Sequence, residues 1–268
     1  MAIGMGARPG VQPLLLGLLA VGALVFVLAP WSFLDKLEAL SAGVCRQRPD
    51  HSYFLGGAQL PLEARMGGIF AGFLAAMVWL WGTGRERAAL LPPRSLQALL
   101  FAFIAWMCLD GTNALLYDTG GPALYHPPQN WLRLVTGLLC GVGLALLALP
   151  VLASVLWRQT DAEPSVGSLA ELAGPLCIVA LVQAATMSGL GWLLYPVASF
   201  TVAGLIASFA VGNAYAAVLI GRAERGANSW RQALNPLLAG VLITLVELAA
   251  LAWLRYWSET TLGIQWPV

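Results

Sequence analysis

Seven apolar stretches of membrane-spanning length dominate this sequence. A bilayer core of about 30 Å requires roughly 20 apolar residues per helix, and a helix satisfies its own backbone polar groups. Hydrophobic residues make up 59% of the chain and charged residues only 10%. The sequence therefore predicts an all-α, polytopic integral membrane helical bundle, with a single membrane domain over residues 1–268. We place the spans near 12–34, 64–83, 95–117, 130–157, 170–194, 197–221 and 234–257.

The first stretch resembles a signal peptide in one respect, because Arg8 precedes its apolar run. The run extends from Leu14 to about Phe33, longer than the roughly 7 to 15 residues of a signal core, and it lacks a clear small-x-small cleavage site. We therefore expect an uncleaved first span.

Breakers and charges separate the later spans. Between spans five and six the sequence offers only Tyr195-Pro196, which predicts a very tight turn and a close hairpin. Pro150, near the end of the long fourth span, predicts a bend there.

The distribution of basic residues favours a cytoplasmic N-terminus and an external C-terminus. This orientation places eight arginines inside, namely Arg8, Arg85, Arg87, Arg94, Arg158, Arg222, Arg225 and Arg231. The outer side then receives Lys36, Arg46, Arg48, Arg65, Arg133 and Arg255. Five tryptophans fall near the outer boundary, as in an aromatic belt: Trp31, Trp131, Trp192, Trp257 and Trp266. The predicted location is the inner (plasma) membrane.

Charged residues within spans are costly, so each one marks a candidate site. Asp110 lies in span three and Arg133 in span four, at similar depths on either side of a short loop, which predicts a salt bridge between them. Asn113 and Asn130 are spaced to join the same polar cluster. Such a cluster could lock the helical hairpin, or it could bind a polar or anionic headgroup near the outer leaflet.

Arg65 begins span two, and Gly68 and Gly72 follow it on the same helix face. Small residues at this spacing allow another helix to approach closely. Arg65 is therefore expected to point into protein, toward Glu63, Asp110 or the preceding polar loop. Gly137 and Gly141 repeat the pattern in span four, which predicts that spans two, three and four pack as one unit.

Glu247 lies alone near the middle of span seven. Gln183 in span five and Asn213 in span six are candidate hydrogen-bond partners for its carboxyl group. Either a structural contact or a proton relay fits this position.

Several membrane chemistries are disfavoured by the residues present. His51 and His126 are the only histidines and both fall in loops, so no span offers histidine ligation to haem or pairs a histidine with a serine nucleophile. Lys36 is the only lysine and lies outside the spans, so no Schiff base to retinal can form in the bundle. Asp110 is the only aspartate at depth, whereas an aspartyl protease requires two. We expect no cofactor.

The polar loop preceding span two continues into that span as VCRQRPDHSYFLGGAQLPLEARMGGIF, residues 44–70. It resembles the signature of a prokaryotic membrane family, domain of unknown function 2085, which typically reads Cys-His-Gln-x-Pro-x-Arg-Ser, then Gly-x-Gln-Leu-Pro and Cys-x-Arg-Cys-x-Gly-Ile-Tyr-x-Gly. The positions that match are Cys45, Gln47, Pro49, Ser52, Gln59, Leu60, Pro61, Arg65, Gly68, Ile69 and Gly72. A second block, Asp-Gly followed by Asn-x-x-Arg-x-x-Thr-Gly, is matched by Asp110, Gly111, Asn130, Arg133, Thr136 and Gly137. The resemblance covers about residues 40–145.

The family pattern offers one histidine and three cysteines, which implies a possible Zn²⁺ site. In this chain the corresponding positions are Cys45, Arg46, Glu63 and Met66, so only one of the four ligands remains. Cys45, His51 and Glu63 could form an improvised site, but neighbouring arginines disfavour it, and we expect no metal. We expect instead that Arg46, Arg48, Asp50 and Glu63 exchange salt bridges or contact a partner.

These features favour a non-catalytic accessory or scaffold subunit of a larger membrane complex, with an energy-transducing complex as one candidate. The expected partners are the lipid bilayer and other protein subunits. No nucleic acid is expected, because the net charge is only +1. The alternative is a small transporter or lipid-handling protein that uses the outer polar cluster. An enzyme acting on lipid-linked substrates would use the same residues but lacks an evident nucleophile.

Overall fold

A computed structural model describes residues 11–220 and 226–263. The described residues form eight α-helices and four short strands. In chain order these are α1 (Val11–Leu28), α2 (Phe33–Ser41), β1 (Phe54–Leu55), β2 (Ala58–Gln59), α3 (Ala64–Gly82), β3 (Ala88–Leu90), α4 (Arg94–Asp118), α5 (Asn130–Leu156), β4 (Asp161–Pro164), α6 (Leu169–Met187), α7 (Leu194–Ile220) and α8 (Trp230–Thr261). Some residues named in the sequence analysis lie outside the described residues: residue 221 of the predicted sixth span, Arg8, Arg222, Arg225 and Trp266.

The predicted class is confirmed, since seven of the helices are long and apolar enough to cross a membrane. The first span is shorter than expected and ends at Leu28. A short break precedes the amphipathic helix α2, whose start is fixed by a capping box between Ser32 and Asp35. This second helix buries Leu37 against the bundle.

The centre of the bundle is the contact between α3 and α5. A methyl group on Gly72 would collide with the carbonyl oxygen of Leu138, and one on Gly141 would collide with that of Ile69. The two backbones therefore touch, as small residues allow in membrane helices. Around this pair, α4 packs on α5, α7 packs on α3 and α8, and α1 packs on α8. Spans two, three and four thus form a contiguous block in which α5 contacts both α3 and α4.

The predicted turn at Tyr195-Pro196 is wrong. Helix α6 ends at Met187, and the chain reverses over residues 188–193, where Gly189 has a φ of +69° and a 3₁₀ turn follows. Tyr195 and Pro196 lie in the first turn of α7, where proline is tolerated because its missing N–H has no intrahelical partner. The close hairpin is also not formed, because α6 packs mainly on α3 and α5.

Short strands shape the connections at both ends of the bundle. At the end expected to be outside, β1 and β2 form an antiparallel hairpin in the polar loop. At the opposite end, β3 from the α3–α4 connection pairs in parallel with β4 from the α5–α6 connection. The sequence did not predict these strands, because segments of two to four residues are too short to show an alternating pattern.

The α3–α5 contact generates a stability prediction. Gly141→Ala should lower the free energy of unfolding by about 1–3 kcal/mol, because the added methyl forces the helices apart. Thermal unfolding in one fixed detergent measures the effect.

Gly22→Ala in α1 is the matched control, since no neighbouring atom lies within 4 Å of a Cβ built there. The control should be as stable as the parent or slightly more stable, because alanine favours the helix. Equal stability of the two variants would contradict the close contact.

Candidate functional site

The candidate site is the polar cluster where α3, α4 and α5 meet the outer loops, and its deepest contact joins Arg65 to Asp110. An Nη2 atom of Arg65 lies 2.6 Å from Oδ2 of Asp110 and 3.2 Å from its backbone oxygen. The Asp110 side chain is fully buried, and that of Arg65 is 22% exposed. This ion pair links α3 to α4, and Arg65 points into protein toward one of its three predicted partners.

The predicted ion pair between Asp110 and Arg133 is not formed. Arg133 instead donates to Oδ1 of Asn130 at 2.9 Å, and its Nη2 lies 3.9 Å from Asp118. Arg133 is the fourth residue of α5, and helical side chains lean toward the N-terminus of their helix. Its guanidinium therefore reaches the end of the bundle, where α4 terminates at Asp118, rather than the deeper Asp110.

Two further hydroxyl groups complete the surroundings of Asp110. The hydroxyl of Tyr125 lies 3.4 Å from Oδ1, and the hydroxyl of Thr136 lies 3.5 Å from Oδ2. The pattern of charges in the spans indicates neither residue, although Thr136 belongs to the second family-like block. Neutral hydroxyls carry no charge signal in a hydropathy pattern, so only their spacing to Asn130 and Arg133 could have indicated them.

The two asparagines of the predicted cluster anchor loops. Asn113 donates to the backbone oxygen of His126 at 3.0 Å and accepts from the N–H of Leu124 at 2.7 Å. Asn130 donates to the backbone oxygen of Asp50 at 2.9 Å. Asn113 thus holds the α4–α5 connection, while Asn130 ties α5 to the loop before α3.

A second group of charges surrounds His51 above the buried ion pair. The ring nitrogens of His51 lie 3.4 Å from Asp50, 3.4 Å from Asp118 and 3.6 Å from Glu63. Arg48 pairs with Asp50 at 2.7 Å and with Asp118 at 3.4 Å. The expected exchange of salt bridges therefore includes Arg48 and Asp50, and it also recruits Asp118 from α4.

Arg46 does not form the expected salt bridge, because its side chain is exposed and has no ion pair within residues 11–220 and 226–263. The backbone of this segment is held from another direction by Arg255 of α8. That guanidinium donates to the carbonyl oxygens of Ala42, Cys45 and Arg46 at 3.0, 2.8 and 3.3 Å. The contact spans more than 200 residues of sequence, so local patterns could not indicate it.

The pKa values of the loop carboxyl groups reflect this network. Partial burial raises the pKa of Glu63. Hydrogen bonds from the His51 ring and the Arg48 backbone N–H, together with the positive charges of these two side chains, lower the pKa below its ordinary value. Burial also raises the pKa of Asp50. The hydrogen bond from Arg48 and the nearby charges of His51 and Arg48 outweigh this effect, so the pKa of Asp50 lies below its ordinary value. Both carboxylates are therefore ionised and paired at neutral pH.

Cys45 is buried beside this network and accepts a hydrogen bond from the N–H of Glu63 at 3.3 Å. Burial, with the nearby charge of Glu63, raises the pKa of the thiol to about 11. A metal ligand must be a thiolate, so this environment opposes metal binding. In the part of the chain that the structure describes, no three His, Cys, Asp or Glu side chains are placed to hold a metal ion.

Gln47 has an unusual backbone conformation in this loop, with a φ of +60°. The side-chain amide of Gln47 donates to the carbonyl oxygens of Glu38 and Pro61, and the side-chain amide of Gln59 donates to the backbone carbonyl oxygen of Gln47. A positive φ is uncommon outside glycine, and these three hydrogen bonds hold it in place. The two glutamines of the family-like pattern thus maintain the loop shape.

Glu247 lies apart from this cluster, between α7 and α8. Its Oε2 accepts a hydrogen bond from Nδ2 of Asn213 at 2.6 Å, and the same amide nitrogen lies 3.0 Å from the hydroxyl of Thr244. Of the two predicted partners, Asn213 is therefore found beside Glu247. Gln183 is not, because its amide contacts the sulfur of Met187 on its own helix.

The Arg65–Asp110 contact can be tested by a double-mutant cycle in which Arg65→Met, Asp110→Leu and their combination are unfolded in detergent. We expect a coupling free energy of about 1–3 kcal/mol, because either single change leaves a buried partner unpaired.

A parallel cycle with Arg133→Met and Asp110→Leu is the control. Its coupling should fall below about 0.5 kcal/mol, as for residues without direct contact. Greater coupling in the Arg133 cycle than in the Arg65 cycle would show that Asp110 pairs with Arg133, as the sequence predicted.

The Cys45 environment predicts slow alkylation at pH 8, because the thiol is protonated and enclosed. Peptide mass spectrometry after timed alkylation of folded protein measures the rate, and protein in denaturant provides the unprotected reference.

Stability should also decline as the pH rises from about 9 toward 11, because the unfolded thiol ionises before the folded one. Cys45→Ser should weaken this decline. Rapid labelling of folded protein at pH 8, or an unchanged decline in Cys45→Ser, would contradict this prediction.

Comparison with known proteins places this cluster in a family context. Residues 45–147 match the model of the family described as "Predicted membrane protein (DUF2085)". An uncharacterised protein of the archaeon Methanocaldococcus jannaschii is 26% identical over 130 residues, which is 48% of this chain and 77% of that protein. No solved structure matches the chain.

The matched segment begins at Cys45 and ends in α5, so it contains the loop network, the Arg65–Asp110 pair and Arg133. Glu247 and its partner lie beyond it. The resemblance predicted from the sequence is confirmed: residues 45–147 of this membrane protein match the model of the family, domain of unknown function 2085.

Proposed function

We propose that the chain is a non-catalytic accessory or scaffold subunit of a larger membrane complex. The observation that carries the proposal is the complete burial of Asp110 in an ion pair with Arg65. A substrate site near the outer leaflet would require this carboxylate to face a water-filled cleft. In the structure, the charge instead holds two helices together.

The remaining charges of the cluster are used in the same way. The acidic side chains of Asp50, Glu63 and Asp118 each lie within 4 Å of a basic or histidine side chain. These contacts tie α4 to the polar loop that precedes α3. Because its carboxylates are paired internally, the cluster forms a rigid platform, although Nε of Arg65 and Nε of Arg133 are buried without a hydrogen-bond partner among the described residues.

The outer surface of the bundle offers area for protein partners. None of the residues of α1 is buried, and the described contacts of this helix are mainly with α8. Its exposed apolar side chains include Val21, Val25 and Leu28, at 58%, 64% and 70% exposure. These side chains can contact lipid or the helices of other subunits, and an energy-transducing complex is one candidate for the assembly.

The proposed orientation in the inner membrane has the N-terminus in the cytoplasm and the C-terminus outside. The arginine distribution supports it, since five described arginines lie at or near the end of the bundle that contains β3 and β4: Arg85, Arg87, Arg94, Arg158 and Arg231. The positive-inside rule assigns that end to the cytoplasm. Nucleic acid is not among the proposed partners.

Purification from native membranes tests the subunit role. The tagged chain is cross-linked in intact cells at its native expression level and extracted in mild detergent. Light scattering then measures the molar mass of the complex. We expect a protein mass well above the 28.4 kDa of one chain, with a different polypeptide in fixed proportion. A monomer, or an assembly of this chain alone, would contradict the proposal.

A second candidate is a small transporter or lipid-handling protein that uses Arg65, Asp110 and Arg133. Asp110→Asn discriminates between the two, because it retains a hydrogen-bonding side chain of similar size but removes the charge. If lipid turnover or solute uptake by cells changes while the variant remains folded, the second candidate is favoured. The subunit role predicts that the variant affects stability and assembly.

A further inference from the structure

A groove on the side of the bundle lies between α3, α5, α7 and α8, away from the polar cluster. Its volume is about 810 Å³. Aromatic side chains line it at Phe70, Phe73 and Phe209. Its lining also includes exposed residues, Leu144 and Gly212 among them, so it opens toward the lipid rather than into a sealed core.

Glu247 gives this groove a polar group near the middle of the membrane. It is the eighteenth of the 32 residues of α8, which places it about 2 Å from the centre of that helix at 1.5 Å per residue. Asn213, the residue bonded to Oε2 of Glu247, also lines the groove. The second carboxyl oxygen, Oε1, accepts no hydrogen bond from the described residues and remains free for another partner.

The groove is unfilled at Gly212, on its exposed side. A Cβ built on this glycine would meet no atom within 4 Å. By contrast, a Cβ on Gly204 of the same helix would collide with the backbone of α3. Gly212 therefore does not serve a helix contact within the described chain, and it leaves space beside Asn213.

We propose that the groove binds a neutral, membrane-soluble amphiphile whose hydroxyl group donates a hydrogen bond to Oε1 of Glu247. A prenyl alcohol has this chemistry. The apolar tail would lie along the aromatic walls. This inference is independent of the subunit role, because it uses a different face of the bundle and residues outside the matched segment.

The size and depth of the groove favour such a ligand over the alternatives. Small-molecule sites have volumes of about 300–1,000 Å³, with apolar linings and a few polar groups. A phospholipid headgroup belongs at the interface, about 15 Å from the bilayer centre, and would not reach Glu247.

Direct binding to the purified full chain tests the proposal. The chain is placed in phosphatidylcholine nanodiscs, and two radiolabelled probes are titrated: geranylgeraniol, which has a hydroxyl donor, and a benzoquinone with a ten-carbon tail, which has only carbonyl acceptors. Empty nanodiscs measure partition into lipid alone. We expect saturable binding of one equivalent of geranylgeraniol per chain above that background, and no such binding of the quinone.

Three variants assign the site. Glu247→Leu should weaken binding tenfold or more, because it removes the hydrogen-bonding group. Gly212→Leu should have a similar effect by filling the space beside Asn213, whereas Gly22→Leu adds the same side chain at an open, lipid-facing position of α1 and should bind like the parent. Gel filtration and thermal unfolding establish that each variant is folded.

Three outcomes would overturn the proposal. The first is the absence of saturable binding of geranylgeraniol, which would mean that bilayer acyl chains occupy the groove. The second is saturable binding that neither Glu247→Leu nor Gly212→Leu weakens. The third is a photo-cross-linker at position 212 that labels a protein and no lipid in native membranes, since a partner helix would then fill the groove.

Discussion

The backbone contact between α3 and α5 is the constraint on which the rest of the structure depends. Glycines on both helices remove the side chains that would separate them, so the carbonyl oxygens of one helix face the glycines of the other. This contact fixes the position of Arg65 at the start of α3. With α4 packed on α5, Arg65 then reaches Asp110 across the group of three helices.

Charge and close packing reinforce each other in this arrangement. An ion pair in a membrane bundle is favourable only when its partners are held in good geometry and their remaining hydrogen-bonding groups are satisfied. The hydroxyls of Tyr125 and Thr136 help to meet that requirement for Asp110. The outer loop is held by a different set of contacts, centred on His51, Asp118 and Arg255, so the site consists of a deep pair beneath a surface network.

Hydropathy predicted the seven spans and the packing glycines, because both depend on patterns within one helix. Such patterns could not decide which polar side chains pair across helices, although the glycine spacing indicated that spans two, three and four pack together. The partner of Asp110 could not be chosen from depth alone, since Arg65 and Arg133 are both near the outer end. The direction in which the Arg133 side chain leans decided the outcome. The turn before α7 was misplaced because a proline in a first helical turn looks, in sequence, like a proline in a loop.

The parallel pairing of β3 with β4 has a mechanical consequence. It joins the α3–α4 connection to the α5–α6 connection by backbone hydrogen bonds, including Asp161 to Arg87 at 3.0 Å. Ala227, at the start of the described part of the α7–α8 connection, is similarly bonded to Leu156 and Arg158. Backbone hydrogen bonds thus join the α3–α4, α5–α6 and α7–α8 connections at one end of the bundle. A rocking motion of one half of the bundle against the other would have to break these hydrogen bonds, which favours a rigid body over alternating access.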